Sequence, residues 1–236
     1  MKPDRVVSQA DWLRARMDLL AQEKAHARAR DALTAARRAM PWAVVEKDYR
    51  FTGAAGAENL ADLFGPHSQL IVYHFMFESD WEAGCKSCSL LADHYGPSVV
   101  HLAARDVALV TVSIAPWPKL EAYRKRMGWE FKWVSSAGSD FNRDFNVSFT
   151  DDELAAGRVN YNYRADNTFP VREAPGISVF AKDDDGCVYH TYSAYSRGLE
   201  TFIGVYDLLD IVPKGRDEAN LPYGMDWVRL HDSYGD

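Results

Sequence analysis

Cysteine is scarce here: three in 236 residues, too few and too odd in number for a structural disulfide framework. The opening "MKPDRVVSQADWLRARMDLL" has no apolar core and no small-residue cleavage pattern, so it does not read as a secretory signal. No run approaches the roughly 18 apolar residues of a membrane span. The expectation is therefore a cytoplasmic protein in a reducing compartment, with no membrane partner, where a close cysteine pair serves redox or metal chemistry.

Other signatures are missing too. There is no G-x-S-x-G nucleophile elbow, and "GAAG" (Gly53 to Gly56) lacks the Lys-Ser/Thr of a phosphate loop, leaving it a turn. "DDDG" (Asp183 to Gly186) reads as a hairpin turn rather than a calcium loop. The net charge is −7. Residues 8–40 carry seven Lys or Arg against four Asp or Glu, and residues 41–236 carry eighteen against twenty-nine. An acidic body argues against a nucleic-acid partner.

What is present is an ordinary globular composition, 47% hydrophobic and 26% charged. Ser8 to Met40 reads as one long helix, capped by Ser8 with Asp11 three residues on and stopped by Pro41. Its stripe of Leu13, Met17 and Leu20 is expected to pack on the body or to form a homodimer. Residues 1–40 are thus a helical extension and 41–236 a single domain. Short β-like runs and a turn lead to a short helix near Leu60 to Phe64.

From there the rhythm is α/β. Gln69 to Met76 is expected as a buried strand, Cys85 to Ala104 as helix broken at Gly96-Pro97, Asp106 to Ile114 as a second strand, then a helix through "KLEAYRKRMG". Apolar strand, helix and apolar strand make a parallel βαβ unit. Residues 134–175 look irregular. Ile177 to Ala181 and Cys187 to Ser193 form a hairpin around Asp185-Gly186, followed by a helix around Leu199 to Leu209.

Cys85 and Cys88 stand two residues apart at the expected helix start. That spacing suits a disulfide, and free N–H groups at a helix start favour a thiolate, with Lys86 adding positive charge. Cys85 is the expected nucleophile and Cys88 the resolving thiol. Trp81 shields the pair or caps its loop. His190, Tyr192 and Arg197 in "HTYSAYSRG" are substrate-face candidates, against the plainer reading that this stretch bonds segment 134–175. A second class of function uses copper or zinc held by Cys85, Cys88 and His74 or His190, although His74 in an apolar strand reads first as a core histidine. A four-ligand structural zinc site and a haem attachment lack their residues. A third reading is an interaction module with an inert cysteine pair.

The element order resembles a thioredoxin-like fold, a central mixed sheet flanked by helices. In that fold a cis-proline before the hairpin faces the CxxC, the slot that Pro175 fills. The segments "RRAMPWAVVEKDYRF", "LADLFGPHSQLIVYHFMF", "GCKSCS", "HLAARDVALVTVS", "PGISVF", "HTYSAYSRG" and "YDLLDIVPKGRDE" resemble a bacterial thioredoxin-like family of unknown function whose members are predicted dithiol-disulfide oxidoreductases. The resemblance covers Trp12 to Tyr234. It implies a redox pair Cys85–Cys88 faced by Pro175, no organic cofactor, a protein or small-molecule disulfide as substrate, and a cellular dithiol as reductant. Cys187 lies outside the family pattern. A more distant resemblance to peroxiredoxins gives thiol peroxidase as the alternative, but "FESDWEAG" before Cys85 lacks their Pro and adjacent Thr or Ser.

Overall fold

The computed structural model describes residues 5–235. The chain divides after Pro41 into two compact units. The first is helix α1, Gln9–Arg38, whose N-terminus is capped by the Ser8 hydroxyl accepting from the Asp11 N–H. None of its residues is buried.

The second unit is built on an eight-stranded mixed sheet. In chain order its strands are β1 (Ala43–Val44), β2 (Arg50–Gly53), β3 (Gly56–Asn59), β4 (Gln69–His74), β5 (Val107–Ser113), β6 (Lys132–Ser135), β9 (Gly176–Lys182) and β10 (Val188–Tyr195). They lie in the order β1-β10-β9-β4-β5-β6-β2-β3. β4, β5 and β6 run parallel, while β9 pairs antiparallel with β4 and β10 with β9. Parallel strands followed by an antiparallel hairpin, with helices on the sheet, is the thioredoxin-like arrangement, to which the β2–β3 hairpin adds an edge.

Strand parity separates the two sides of the core. Tyr73 of β4 joins one aromatic cluster, with Phe75, Phe77, Trp129 and Trp133. Leu70 and Val72 join the other, with Phe51, Phe64, Phe141 and Phe180. His74 stacks on Phe141 and Phe145 and therefore belongs to this second side.

The first side is covered by α2 (Lys86–Ala92), α3 (Val99–Ala103) and α4 (Trp117–Arg126). The expected break at Gly96-Pro97 is a 3-10 turn, Gly96–Ser98. The region read as irregular holds more structure than its polarity suggests. It contains the second half of β6, the short helices α5 (Phe141–Asp144) and α6 (Asp151–Ala155), and a separate hairpin, β7 (Val159–Tyr161) with β8 (Arg164–Asn167). These pieces are too short for periodicity to mark, and a Thr150–Glu153 capping box starts α6. The closing helix divides into a 3-10 segment, Ser196–Phe202, and α7, Gly204–Asp210. Residues 211–235 add turns without a regular helix.

Candidate active site

The backbone places Cys85 before its chemistry is considered. Its N–H donates to the Met76 carbonyl at 3.1 Å, tying the start of α2 to the end of β4. Gly84 makes that approach possible. A Cβ there would lie 2.5 Å from Cε1 of Phe75 and 3.0 Å from Cε1 of Tyr123, so any side chain would collide with two packed rings. Cys85 then serves as the N-cap of α2. Its carbonyl accepts from the Ser89 N–H at 2.9 Å and the Ser89 hydroxyl at 3.0 Å.

The two thiols are in opposite electrostatic situations. Cys85 is half-buried and Cys88 is 2% exposed, and both are free. The Cys88 thiol hydrogen-bonds Cys85, and the N–H groups of Cys88 and Ser87 point at the same sulfur. Together with the Lys86 charge they outweigh burial and hold the Cys85 thiol down to about 7. Cys88 is pushed well up, first by burial and then by the Cys85 sulfur. Cys85 is therefore the first of the pair to ionise, and the charge resides on its sulfur.

Both sulfurs line a cavity of about 590 Å³ whose wall also includes Tyr73, Pro175, Arg197 and Met225. Pro175, which the resemblance set opposite the cysteine pair, lines the same cavity. The cis bond of that slot is not found: no peptide bond among the described residues is cis. The Pro175 carbonyl instead accepts from the Tyr161 hydroxyl at 2.7 Å.

The other expected residues divide. Arg197 lines the cavity, with its Nε 2.9 Å from Glu200. Lys86 turns its ammonium to the C-terminal segment, donating to the Asp226 carbonyl at 2.9 Å and lying 5.7 Å from the centroid of Tyr223. Its charge lowers Cys85 less than the thiol of Cys88 and the N–H groups of Cys88 and Ser87 do. Trp81 packs against the first core cluster and does not line the cavity. Tyr192 packs against the same cluster.

His190 and His74 are on the far side of the sheet. His190 bonds Ser193 Oγ at 2.8 Å and meets Phe145 and Phe180 edge-on or tilted. His74 Nε2 lies 2.9 Å from Ser178 Oγ, which lies 2.9 Å from Ser193 Oγ. A buried chain of four polar side chains results, and burial lowers His74 to about 3. The proposed ligand set of Cys85, Cys88 and either histidine is therefore not assembled, because the sheet stands between them. Among the described residues no three His, Cys, Asp or Glu side chains are grouped to hold a metal ion.

Other groups of "HTYSAYSRG" bond segment 134–175. Tyr163 donates to the Ser193 carbonyl, Tyr195 to the Phe145 carbonyl, and the Ser196 N–H to the Tyr161 hydroxyl, all spanning to segment 134–175. Ser79, the serine in "FESDWEAG", is exposed, receives Lys119 at its carbonyl and does not line the cavity.

Three parts of the site carried no sequence signal. Tyr73 looks like core in an apolar run, yet its hydroxyl reaches the Cys88 carbonyl at 3.4 Å and it lines the cavity. Arg216 stacks 3.8 Å over Tyr206 and bonds both Glu200 and Asp210. Glu218 gathers the Tyr206 hydroxyl, the Met225 N–H and the Trp227 indole at 3.0, 2.9 and 2.6 Å. These contacts fix the C-terminal segment as a wall of the cavity.

Residues 1–234 match a bacterial protein family described as being of unknown function, DUF899. None of the curated proteins compared is detectably similar in sequence. Among solved structures, peroxidoxin BcpB from Mycobacterium tuberculosis is similar over 70% of this chain and 94% of its own, at 13% identity and a TM-score of 0.46. Xanthomonas campestris peroxiredoxin Q covers 70% and 93%, at 12% and 0.45. A putative thiol:disulfide interchange protein, DsbE, from Chlorobium tepidum covers 71% and 98%, at 14% and 0.40.

Proposed function

Given that the chain belongs to the bacterial family of unknown function DUF899, we propose that it is a thiol-disulfide oxidoreductase. Cys85 is the nucleophile and Cys88 the resolving thiol. The observation that carries this reading is the asymmetry of the pair: a half-buried thiol held to about 7 beside a buried one pushed upward, both opening on one cavity faced by Pro175. A thiol near ambient pH is the most effective attacker in exchange.

The Cys85 thiolate attacks a disulfide sulfur, the substrate S–S bond breaks, and a mixed disulfide forms. Cys88 loses its proton and attacks Cys85, releasing the second thiolate. Its raised pKa keeps it protonated until the negative charge on Cys85 is consumed by the first step. The product Cys85–Cys88 bond is reduced by an external cellular dithiol, and a reducing cytoplasm is the setting that the scarcity of cysteine favours. No helix among the described residues is long and apolar enough to cross a membrane.

Equilibration of the wild type, Cys85→Ser and Cys88→Ser in graded dithiol buffers, with metal analysis of the same samples, tests the proposal. The expected result is a reversible two-electron couple between roughly −180 and −300 mV in the wild type alone. No disulfide at any potential, or one stoichiometric metal held by both thiols, overturns it.

A further inference from the structure

The cavity above the cysteine pair says more about what is reduced there. We propose that the substrate is a neutral low-molecular-weight disulfide with apolar organic substituents, rather than a disulfide on a folded protein. This deepens the thiol-disulfide reading and rests on it.

Three observations converge. First, much of the cavity's lining is apolar: Met76, Leu91, Leu199 and Ile203 are buried there, and Phe169 and Met225 are half-buried. Secondly, the charged side chains around it are turned on one another. Arg197 and Arg216 share Glu200, Arg216 also holds Asp210, and Glu218 is engaged by Tyr206, Trp227 and the Met225 N–H. A substrate carboxylate or ammonium would compete with these pairs rather than complete one. Thirdly, the volume of about 590 Å³ falls in the range of small-molecule sites. Cys88 is almost fully buried, and Cys85 sits behind walls supplied by Phe169, the 3-10 segment and the C-terminal segment. A protein disulfide needs a shallow approach for two flanking backbones, which these walls obstruct.

The chemistry balances without further reactants. With a disulfide RS–SR, the Cys85 thiolate forms Cys85–SR and expels RS⁻, which takes a proton from solvent. The deprotonated Cys88 then displaces the second RS⁻. Two electrons pass from the dithiol to RS–SR, giving two RSH and the Cys85–Cys88 disulfide, which an external dithiol reduces.

The test uses the reduced full-length protein and three probes: di-n-propyl disulfide, bis(2-hydroxyethyl) disulfide and insulin. The two small disulfides differ by a methyl in place of a hydroxyl, and each rate of thiol loss is divided by that of dithiothreitol with the same probe. The expected result is a propyl over hydroxyethyl preference of about tenfold or more, with insulin slower than either. Phe169→Ala and Met225→Ala, two half-buried positions on different segments, each bring the preference toward one. A wild-type preference near one, a preference unchanged in both variants, or faster oxidation by insulin overturns the inference while leaving an oxidoreductase. Failure of all three probes to oxidise the pair overturns both readings.

Discussion

A Cβ on Gly84 would sit 2.5 Å from the ring of Phe75. The residue before Cys85 is thus glycine because the chain must pass directly over a packed aromatic. Its φ is not in the left-handed region, so close approach rather than backbone freedom demands it. Gly84→Ala is expected to destabilise the fold by about 1–3 kcal/mol, the usual cost of overpacking. Urea denaturation reads this effect. Slower alkylation of Cys85 is also expected, because relief of the clash displaces the N-cap. An unchanged midpoint and rate would mean that Phe75 and Tyr123 yield without cost.

The low Cys85 pKa comes chiefly from the Cys88 thiol. Alkylation by iodoacetamide should therefore rise with a midpoint at about pH 7 in the wild type. In Cys88→Ala the midpoint should move up toward that of an ordinary thiol. The opposing variant, Cys85→Ala, should leave Cys88 almost unreactive up to high pH, since burial is the largest cause of its raised value. Equal reactivity of the two single-cysteine proteins at pH 7 would contradict the assigned roles.

Lys86 separates electrostatics from architecture. Its charge lowers Cys85 less than the Cys88 thiol does, yet its ammonium holds the Asp226 carbonyl. Lys86→Met should shift the alkylation midpoint less than Cys88→Ala does. It should also speed amide exchange across residues 216–230, because a charge-assisted bond anchoring that segment is lost. A large midpoint shift with unchanged exchange would reverse this assignment.

The cysteine pair at the head of a helix was legible because its signal is local: two cysteines, a helix start and a preceding apolar strand all fall within residues 69–92. The β9–β10 hairpin was legible for the same reason, whereas the slot of Pro175 came from the resemblance. Tyr73 was not, since a tyrosine in a strand looks alike whether its hydroxyl meets a carbonyl of the core or a catalytic helix. The histidines show what parity can and cannot decide. Alternation sets His74 opposite Tyr73 from the sequence alone, but not which of them faces α2. At His190 even alternation fails, because the ladder slips between His190 and Tyr192. Arg216, Glu218 and Met225 lie in turns with no periodicity, and only the fold brings them to the cysteines.

Beneath the sheet, Glu173 is 2% exposed and receives the Asn142 amide at 2.9 Å and the Ser148 hydroxyl. Burial raises its carboxyl to about 7. A raised folded-state pKa stabilises fully below the unfolded value, 4.5, and that contribution is lost as pH climbs through 7. His74, lowered by burial to about 3, works in the opposite sense: its contribution is present above 6.5 and lost as pH falls toward 3. Glu173→Gln removes only the first dependence. Relative to the wild type, the variant should gain stability between pH 4.5 and pH 8, on the order of 3 kcal/mol across the window. Chemical denaturation at four pH values, with the wild-type value subtracted at each, isolates the effect from His74. A difference that stays flat from pH 4.5 to 8 would show that Glu173 titrates alike in the folded and unfolded chain. Its bonds to Asn142 and Ser148 would then compensate fully for burial of the charge.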